Sequence, residues 1–178
     1  MKNTIAFGMG CFWGAQKRLQ QISDQLITEV GYANGDAEQT DYGRVLELEK
    51  LIKIGLCDEI NHAEVVLVTY DSDQVNLIEI LATFWQAHDP TQINRQGNDT
   101  GTNYRSGIYY STEEQKLLAQ TSLDTYPKVL ESAGSKPIAT EIELLKNYNR
   151  AEEYHQEYLL KNPNGYCGLG GLGINYPI

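Results

Sequence analysis

Cysteine is scarce in this chain: Cys11, Cys57 and Cys167 are the only three in 178 residues. An odd count excludes a fully paired disulfide framework, and no two of them form a CxxC pair. Histidine is equally sparse, and His62, His88 and His155 are too scattered to give the ligand spacing of a structural zinc site. Positive charge is short as well, with 14 Lys and Arg against 24 Asp and Glu and a formal net charge of −10. Nucleic acid and anionic membrane surfaces are bound through positive charge, so both are excluded as partners on electrostatic grounds. No apolar stretch approaches the ~20 residues of a membrane span. The start, Met-Lys-Asn-Thr-Ile-Ala-Phe-Gly, lacks the apolar run of a secretory signal. A cytoplasmic, monomeric, single-domain chain over residues 1–178 is the expectation.

Against that background, Gly8-Met9-Gly10-Cys11-Phe12-Trp13-Gly14 stands out. It places a cysteine where a short apolar strand, Thr4–Phe7, gives way to a helical stripe of Phe12, Ala15, Leu19 and Ile22. Flanking glycines allow a tight turn and a close approach to a ligand. A thiol at a helix start faces unpaired N–H groups and the positive dipole end, which favour the nucleophilic thiolate. Free cysteine is also commonly a small buried core residue, so the position alone leaves both readings open.

Strand and helix patterns alternate along the chain. Strands are expected at Thr4–Phe7, Leu26–Tyr32, His62–Tyr70, Gly107–Tyr110 and Ala139–Leu144, the third marked by Val65-Val66-Leu67-Val68. Helices are expected at Cys11–Ile22, Gln74–Gln86, Thr112–Leu123 and Ala151–Leu160, with Ser111 and Glu114 as a capping box for the third. Val75, Ile78, Leu81, Ala82 and Trp85 form the apolar stripe of the second helix. This pattern implies an α+β two-layer sandwich with a ferredoxin-like core.

The last stretch, 164–178, is too rich in glycine (Gly165, Gly168, Gly170, Gly171, Gly173) for regular structure. It reads as a long irregular C-terminal tail, a mobile strap over the body. Cys167 lies within it, in Gly165-Tyr166-Cys167-Gly168. If the tail folds back to Cys11, two thiols can cycle between dithiol and disulfide; otherwise Cys167 is an incidental exposed thiol.

Taken together, these segments resemble the A-type peptide methionine sulfoxide reductases. Gly10-Cys11-Phe12-Trp13-Gly14 is similar to that family's active-site signature. Gly31-Tyr32-Ala33, His62-Ala63-Glu64-Val65-Val66, His88-Asp89-Pro90-Thr91-Gln92 and the run from Arg95 to Ser106 resemble its other motifs, in the same order. The tail Gly165-Tyr166-Cys167-Gly168 matches members that regenerate with a tail cysteine. The likeness runs from about Ile5 to Gly173.

The resemblance implies Cys11 as the nucleophile, Glu64 as the acid that protonates the sulfoxide oxygen, and Cys167 as the resolving thiol. Phe12 and Trp13 would wall the substrate methyl, Tyr32 and Tyr104 would bind the oxygen, and Asp89 would order the polar side. The substrates implied are methionine S-sulfoxide in proteins, peptides and the free amino acid, with thioredoxin (or dithiothreitol in the tube) as reductant and no metal or organic cofactor. The chemistry asks for such a set. A sulfoxide oxygen leaves only when protonated, and a Glu that keeps its proton at neutral pH needs desolvation. The sulfenic acid left on Cys11 then needs a second thiol.

His62 and His88 are read as structural supports of the loops carrying Glu64 and Asp89, and His155 as ordinary helix surface. Two departures from the family pattern stand out. Residues 44–61 are longer than the usual connection and end in Ile60-Asn61 instead of Thr-Gly, suggesting an added strand or short helix. Asn175 stands where some members carry a second tail cysteine, so the relay should stop at Cys11–Cys167, with Cys57 a bystander. Two other classes use the same residues differently: a cysteine hydrolase or acyltransferase pairing Cys11 with His62 or His88, and a non-enzymatic module that grips methionine with Phe12 and Trp13.

Overall fold

All five strand candidates enter one sheet. A computed structural model describes residues 1–132 and 136–177; Ile178, the end of the glycine-rich tail, lies outside them. The elements run β1 (Lys2–Met9), α1 (Phe12–Gln20), β2 (Ile27–Ala33), α2 (Tyr42–Lys53), β3 (Ala63–Asp71), α3 (Leu77–Ala87), β4 (Arg95–Gln96) and β5 (Asp99–Thr100). They continue with β6 (Ser106–Tyr110), α4 (Glu113–Ser132), β7 (Glu141–Leu144), β8 (Asn149–Arg150) and α5 (Tyr158–Lys161). The sheet order is β7-β6-β1-β3-β2-β8. Its middle, β6-β1-β3-β2, is antiparallel throughout, and with α1 and α3 as crossovers it is the ferredoxin-like core anticipated from the sequence. Strand β7 extends one edge parallel to β6, and β8 pairs antiparallel to β2 on the other.

The run of valines in β3 reflects its central place, since both of its faces are covered. Val66 and Val68 join Ile5, Phe7, Met9 and Val30 in the main core. Ala63 and Val65 point the opposite way, to a smaller cluster with Ala6, Ala33 and Tyr109 that Leu145 and Tyr148 cover. Helix α3 buries Leu77, Ile80, Leu81, Phe84 and Trp85. Its Ile78, assigned to that stripe from the sequence, instead faces solvent. The cap of α4 is also shifted by one residue. Thr112 Oγ1 accepts from the Gln115 amide, and Gln115 Oε1 accepts from the amides of Ser111 and Thr112.

Two larger corrections concern helices. Residues 151–160 are not one helix: a 3-10 turn at Glu153–His155 and the short α5 are separated by Glu157 at φ 52. The unusual 44–61 stretch supplies most of a twelve-residue helix, α2, and then a loop. Asp41 caps α2 by accepting from the Arg44 amide at 2.9 Å, and Val45 is fully buried. The tail packs along the body. Leu169, Leu172 and Ile174 rest on the core, Tyr126 donates to the carbonyl of Ile174 at 2.8 Å, and Gly171 passes so close to Gln86 that a β-carbon would collide with its carbonyl oxygen.

Helix α2 is tied to the loop before β6 through one buried carboxylate. Glu49, 5% exposed, accepts from the Thr102 amide at 2.8 Å, from Asn61 Nδ2 at 3.1 Å, and from the Thr102 hydroxyl. Burial alone would raise its pKa, but these hydrogen bonds outweigh that and hold it below the usual carboxylate range. A carboxylate lowered in the fold adds stability that is complete above its unfolded value, near ~4.3, and fades as pH falls through the folded value. Glu49→Ala should therefore lower the unfolding free energy at neutral pH by about 1–3 kcal/mol. In urea titrations the gap from wild type should narrow as the solution is acidified below that window.

Candidate active site

Gly10, at φ 86, turns the chain from β1 into α1, and its missing side chain is required: a β-carbon there would lie 2.6 Å from Cβ of Gln96. The turn presents Cys11 as the N-cap of α1 (φ −56, ψ 123). The next strand across, β3, contributes Glu64 from a position paired with Tyr32 on β2. The carboxyl of Glu64 is 3% exposed and accepts a hydrogen bond from the Phe12 amide at 3.2 Å. Acid and thiol therefore meet at the first turn of α1, one from the strand and one from the cap.

Their protonation follows from burial. Desolvation raises the pKa of Glu64 to about 8, and the like charge of Asp99 pushes the same way; the Phe12 amide and the Asn103 side chain oppose it. Cys11 is pushed up to about 12, chiefly by burial and then by the Glu64 carboxylate. The amides of Trp13 and Gly14 pull it back, as a helix start should, but they do not win. The expectation of a thiolate at rest is thus overturned. The resting pair is a neutral acid beside a neutral thiol.

Around this pair the sequence candidates separate. Phe12 is buried and touches Tyr32 and His155, while half-buried Trp13 stacks on Tyr158 with ring centres 3.8 Å apart. Tyr104, from the 3-10 turn Thr102–Tyr104, feels the charge of Glu64 and has its pKa raised mainly by burial. Tyr32 also lies beside Glu64, but its hydroxyl donates to Glu152 Oε1 at 3.0 Å. Asp89 is not brought to the pair. Its carboxylate accepts from Thr91 and Gln92 within its own loop, and Gln96 bridges that loop to Gly10. Cys167 lies over α1: a β-carbon on Gly14 would sit 2.9 Å from its Sγ. Both thiols are free, and Cys167 is exposed.

Sequence reasoning missed several neighbours. Tyr42, at the start of α2, has its pKa raised by burial and then by the charge of Glu64, with Cys11 also contributing. Asp99 is raised by burial and accepts from the Tyr166 hydroxyl at 3.3 Å. Glu152 accepts from Tyr32 with one oxygen and from the Tyr42 amide with the other. His155 is not helix surface. It is 2% exposed, contacts Phe12, Trp13 and Tyr42, and its Nδ1 accepts from the Trp13 indole at 3.0 Å. The Ala-Glu-Glu-Tyr-His-Gln run was available as a signal, but helical spacing disguised it.

His62 and His88 are structural, as read from the sequence. His62 Nδ1 accepts from the Gly35 amide and its Nε2 meets the Ala37 carbonyl at 2.8 Å. His88 is fully buried, bonded to the Phe84 carbonyl and Ser106 hydroxyl, with its pKa lowered by burial to about 4. Neither ring has a nitrogen available as a base for Cys11, which removes the support for a Cys-His hydrolase. Among the described residues, no group of three or more His, Cys, Asp or Glu side chains is placed to hold a metal ion, and no helix is long and apolar enough to cross a membrane.

Comparison with known proteins points the same way. Residues 3–171 match the family model described as peptide methionine sulfoxide reductase. A protein of Brucella melitensis biotype 2 named peptide methionine sulfoxide reductase MsrA is 47% identical over 174 residues, covering 98% of this chain and 75% of the relative. Among solved structures, methionine sulfoxide reductase A of Corynebacterium diphtheriae has a TM-score of 0.80 at 38% identity, covering 93% of this chain and 77% of that one. Reduced Mxr1 of Saccharomyces cerevisiae has a TM-score of 0.77 at 36% identity, covering 93% and 88%. The same yeast protein has been solved in complex with Trx2, with a TM-score of 0.55 at 28% identity, covering 88% and 84%.

The raised pKa of Glu64 carries a cost that can be measured. Between the unfolded value, near ~4.3, and the folded value of about 8, the unfolded chain ionises this group and the folded chain does not. Stability contributed by the site therefore falls as pH rises through that window. Glu64→Gln removes the slope, so its urea midpoint should gain on wild type from the lower bound to the upper and then level. A pH-independent difference would show that Glu64 is ionised in the folded protein.

Proposed function

The chain belongs to the peptide methionine sulfoxide reductase family, and on that premise we propose a division of labour among the residues around Cys11. The enzyme is a peptide-methionine (S)-S-oxide reductase and works by thiol chemistry. The observation that carries our assignment is Glu64, buried, protonated to about pH 8 and hydrogen-bonded to the residue after Cys11. Glu64 gives its proton to the sulfoxide oxygen while Cys11 sulfur attacks the substrate sulfur. The thiol proton returns to the carboxylate, and the sulfur–sulfur bond formed on attack breaks as the hydroxyl passes to Cys11 sulfur, so methionine leaves with Cys11 as sulfenic acid. In sum, thiol and sulfoxide become sulfenic acid and thioether, and the oxygen passes from one sulfur to the other. Because the resting thiol is neutral, loss of its proton is coupled to substrate binding, which protects Cys11 from adventitious oxidation between turnovers.

Phe12 and Trp13 form the apolar wall for the substrate methyl. Tyr104 and Tyr42 bind the oxygen; Tyr32, whose hydroxyl is committed to Glu152, acts behind them. Asp99 orders the polar side, a role the motif order suggested for Asp89. A methyl on the aromatic wall, an oxygen at Glu64 and attack by Cys11 admit one handedness at the sulfur; family membership makes it the S epimer, in proteins, peptides and the free amino acid. Cys167, over the first turn of α1, condenses with the sulfenic acid, forming the Cys11–Cys167 disulfide and releasing water. Thioredoxin then reduces that disulfide, a reading supported by the solved complex of yeast Mxr1 with Trx2. No prosthetic group enters this scheme. We infer a cytoplasmic monomer.

One single-turnover experiment tests the scheme. Wild type given methionine S-sulfoxide without reductant should release one equivalent of methionine and hold a Cys11–Cys167 disulfide by peptide mapping, with Cys57 still alkylatable. Cys11→Ser should release none. Cys167→Ser should release one equivalent and stop as sulfenic acid. Glu64→Gln should lower kcat by about two to four powers of ten, the usual worth of a general acid. Tyr42→Phe should cost more than Tyr32→Phe. A Cys11–Cys57 disulfide, or comparable rates on the R epimer, overturns the assignment.

A further inference from the structure

Helix α2 does more than decorate the fold. Together with the loop before β6 it encloses a cavity of about 210 Å³ that opens beside Tyr104. On the helix side stand Leu46, Glu49, Lys50 and Lys53; on the loop side stand Thr100, Asn103 and Tyr104. Asn103 is 1% exposed, and its amide lies against the Glu64 carboxyl and the Tyr104 hydroxyl, opposing the pKa rise of each without making a well-formed hydrogen bond. A buried amide held so loosely keeps hydrogen-bonding capacity for a group that enters the cavity.

The charge here also runs against the rest of the molecule. In a chain of net charge −10, Lys50 and Lys53 lie three residues apart on exposed turns of α2. Lys53 donates to the Thr100 carbonyl at 2.7 Å. Lys50 makes no ion pair or hydrogen bond in the described structure. One carboxylate, Glu49, lines the cavity beside the two lysines. Glu49 turns its oxygens to Thr102 and Asn61, though its charge is felt by Lys53, and Asp99 faces Tyr166.

From this juxtaposition we infer that the cavity is a substrate subsite for an acidic residue flanking the oxidised methionine of a peptide or protein. The Asn103 amide takes a peptide group of the substrate backbone, Leu46 packs on its stem, and Lys50, with Lys53, receives the carboxylate. The inference rests on the reductase reading and deepens it: the enzyme selects oxidised methionine in acidic sequence. Most of α2 comes from the 44–61 stretch, which thereby acquires a role in specificity.

The test uses the full chain and blocked peptides in which one Glu or one Lys is placed in turn at each of the two positions before and after methionine S-sulfoxide. Wild type at low salt should show, at one position at least, a kcat/KM for the Glu peptide about three- to fivefold above the Lys peptide, the scale of an exposed ion pair. Salt should erase that ratio by screening. Lys50→Glu should invert it and Lys50→Ser should flatten it. A ratio near one at every position in wild type, or a preference that survives both substitutions, overturns the subsite. Free methionine S-sulfoxide reports separately on the chemistry: if wild type fails to reduce it and every peptide, the reductase reading has failed instead.

Discussion

The molecule is organised around one unfavourable act, the burial of a carboxyl group from β3 against the first turn of α1. Glu64 is almost sealed from solvent, and the one hydrogen bond it accepts from the backbone, from the Phe12 amide, joins the central strand to the helix that begins at Cys11. A carboxylate in that place would need more partners than it has, so it keeps its proton up to about pH 8. The same dry surroundings raise the thiol, and the charge that Glu64 would carry raises it further. Neither group is reactive by itself. In the mechanism we propose, an incoming sulfoxide supplies an acceptor for the acid's proton and an electrophile for the sulfur at once, so attack is tied to the arrival of substrate.

That dry environment is built by aromatic rings and held by a few polar pins. Trp13 is fixed on one side by Tyr158, stacked at 3.8 Å, and on its edge by His155. Because His155 Nδ1 accepts from the indole, its proton resides on Nε2, and burial lowers its pKa, keeping the ring neutral. Glu152, three residues earlier, binds the Tyr32 hydroxyl and the Tyr42 amide, linking β2 to the start of α2. These two pins come from a segment whose backbone reverses sharply at Glu157. Irregular backbone is what allows one short stretch to aim a carboxylate and an imidazole at different walls of the same site.

The sheet was readable in the sequence because its strands are buried by elementary patterns. Val65 to Val68 form a continuous apolar run on a strand covered on both faces, and the Phe12-Ala15-Leu19 stripe follows one side of α1. Cys11 and Glu64 were legible as a pair through motif order, and the structure puts them at one turn. Tyrosines were harder. With twelve in the chain, only spatial placement separates Tyr42, which senses both Glu64 and Cys11, from Tyr32, whose hydroxyl is already committed. Asp89 and Asp99 pose the same problem: each sits in a glycine- and asparagine-containing loop, and nothing local says which carboxylate turns inward. His155 was misplaced because helical spacing was read through a segment that a left-handed residue interrupts.

The loop of residues 95–106 has almost no ladder of its own, since β4 and β5 pair over two residues each. Its backbone groups must therefore be met from outside. Arg105, at the loop's end, anchors it to the core: its guanidinium is bonded to Glu141, to the loop's own Thr102 carbonyl and to the carbonyls of Asn34 and Asn61 outside it. Glu49 does it from the other side, binding the Thr102 amide and hydroxyl. A cation binds the Thr102 carbonyl and an anion binds the Thr102 amide and hydroxyl, so the turn that carries Asn103 and Tyr104 is clamped without either side chain being needed for the clamp. Gly101, at φ 156, lets the chain enter that turn. The turn is thus held by residues other than the two it presents, Asn103 and Tyr104, whose side chains lie beside Glu64.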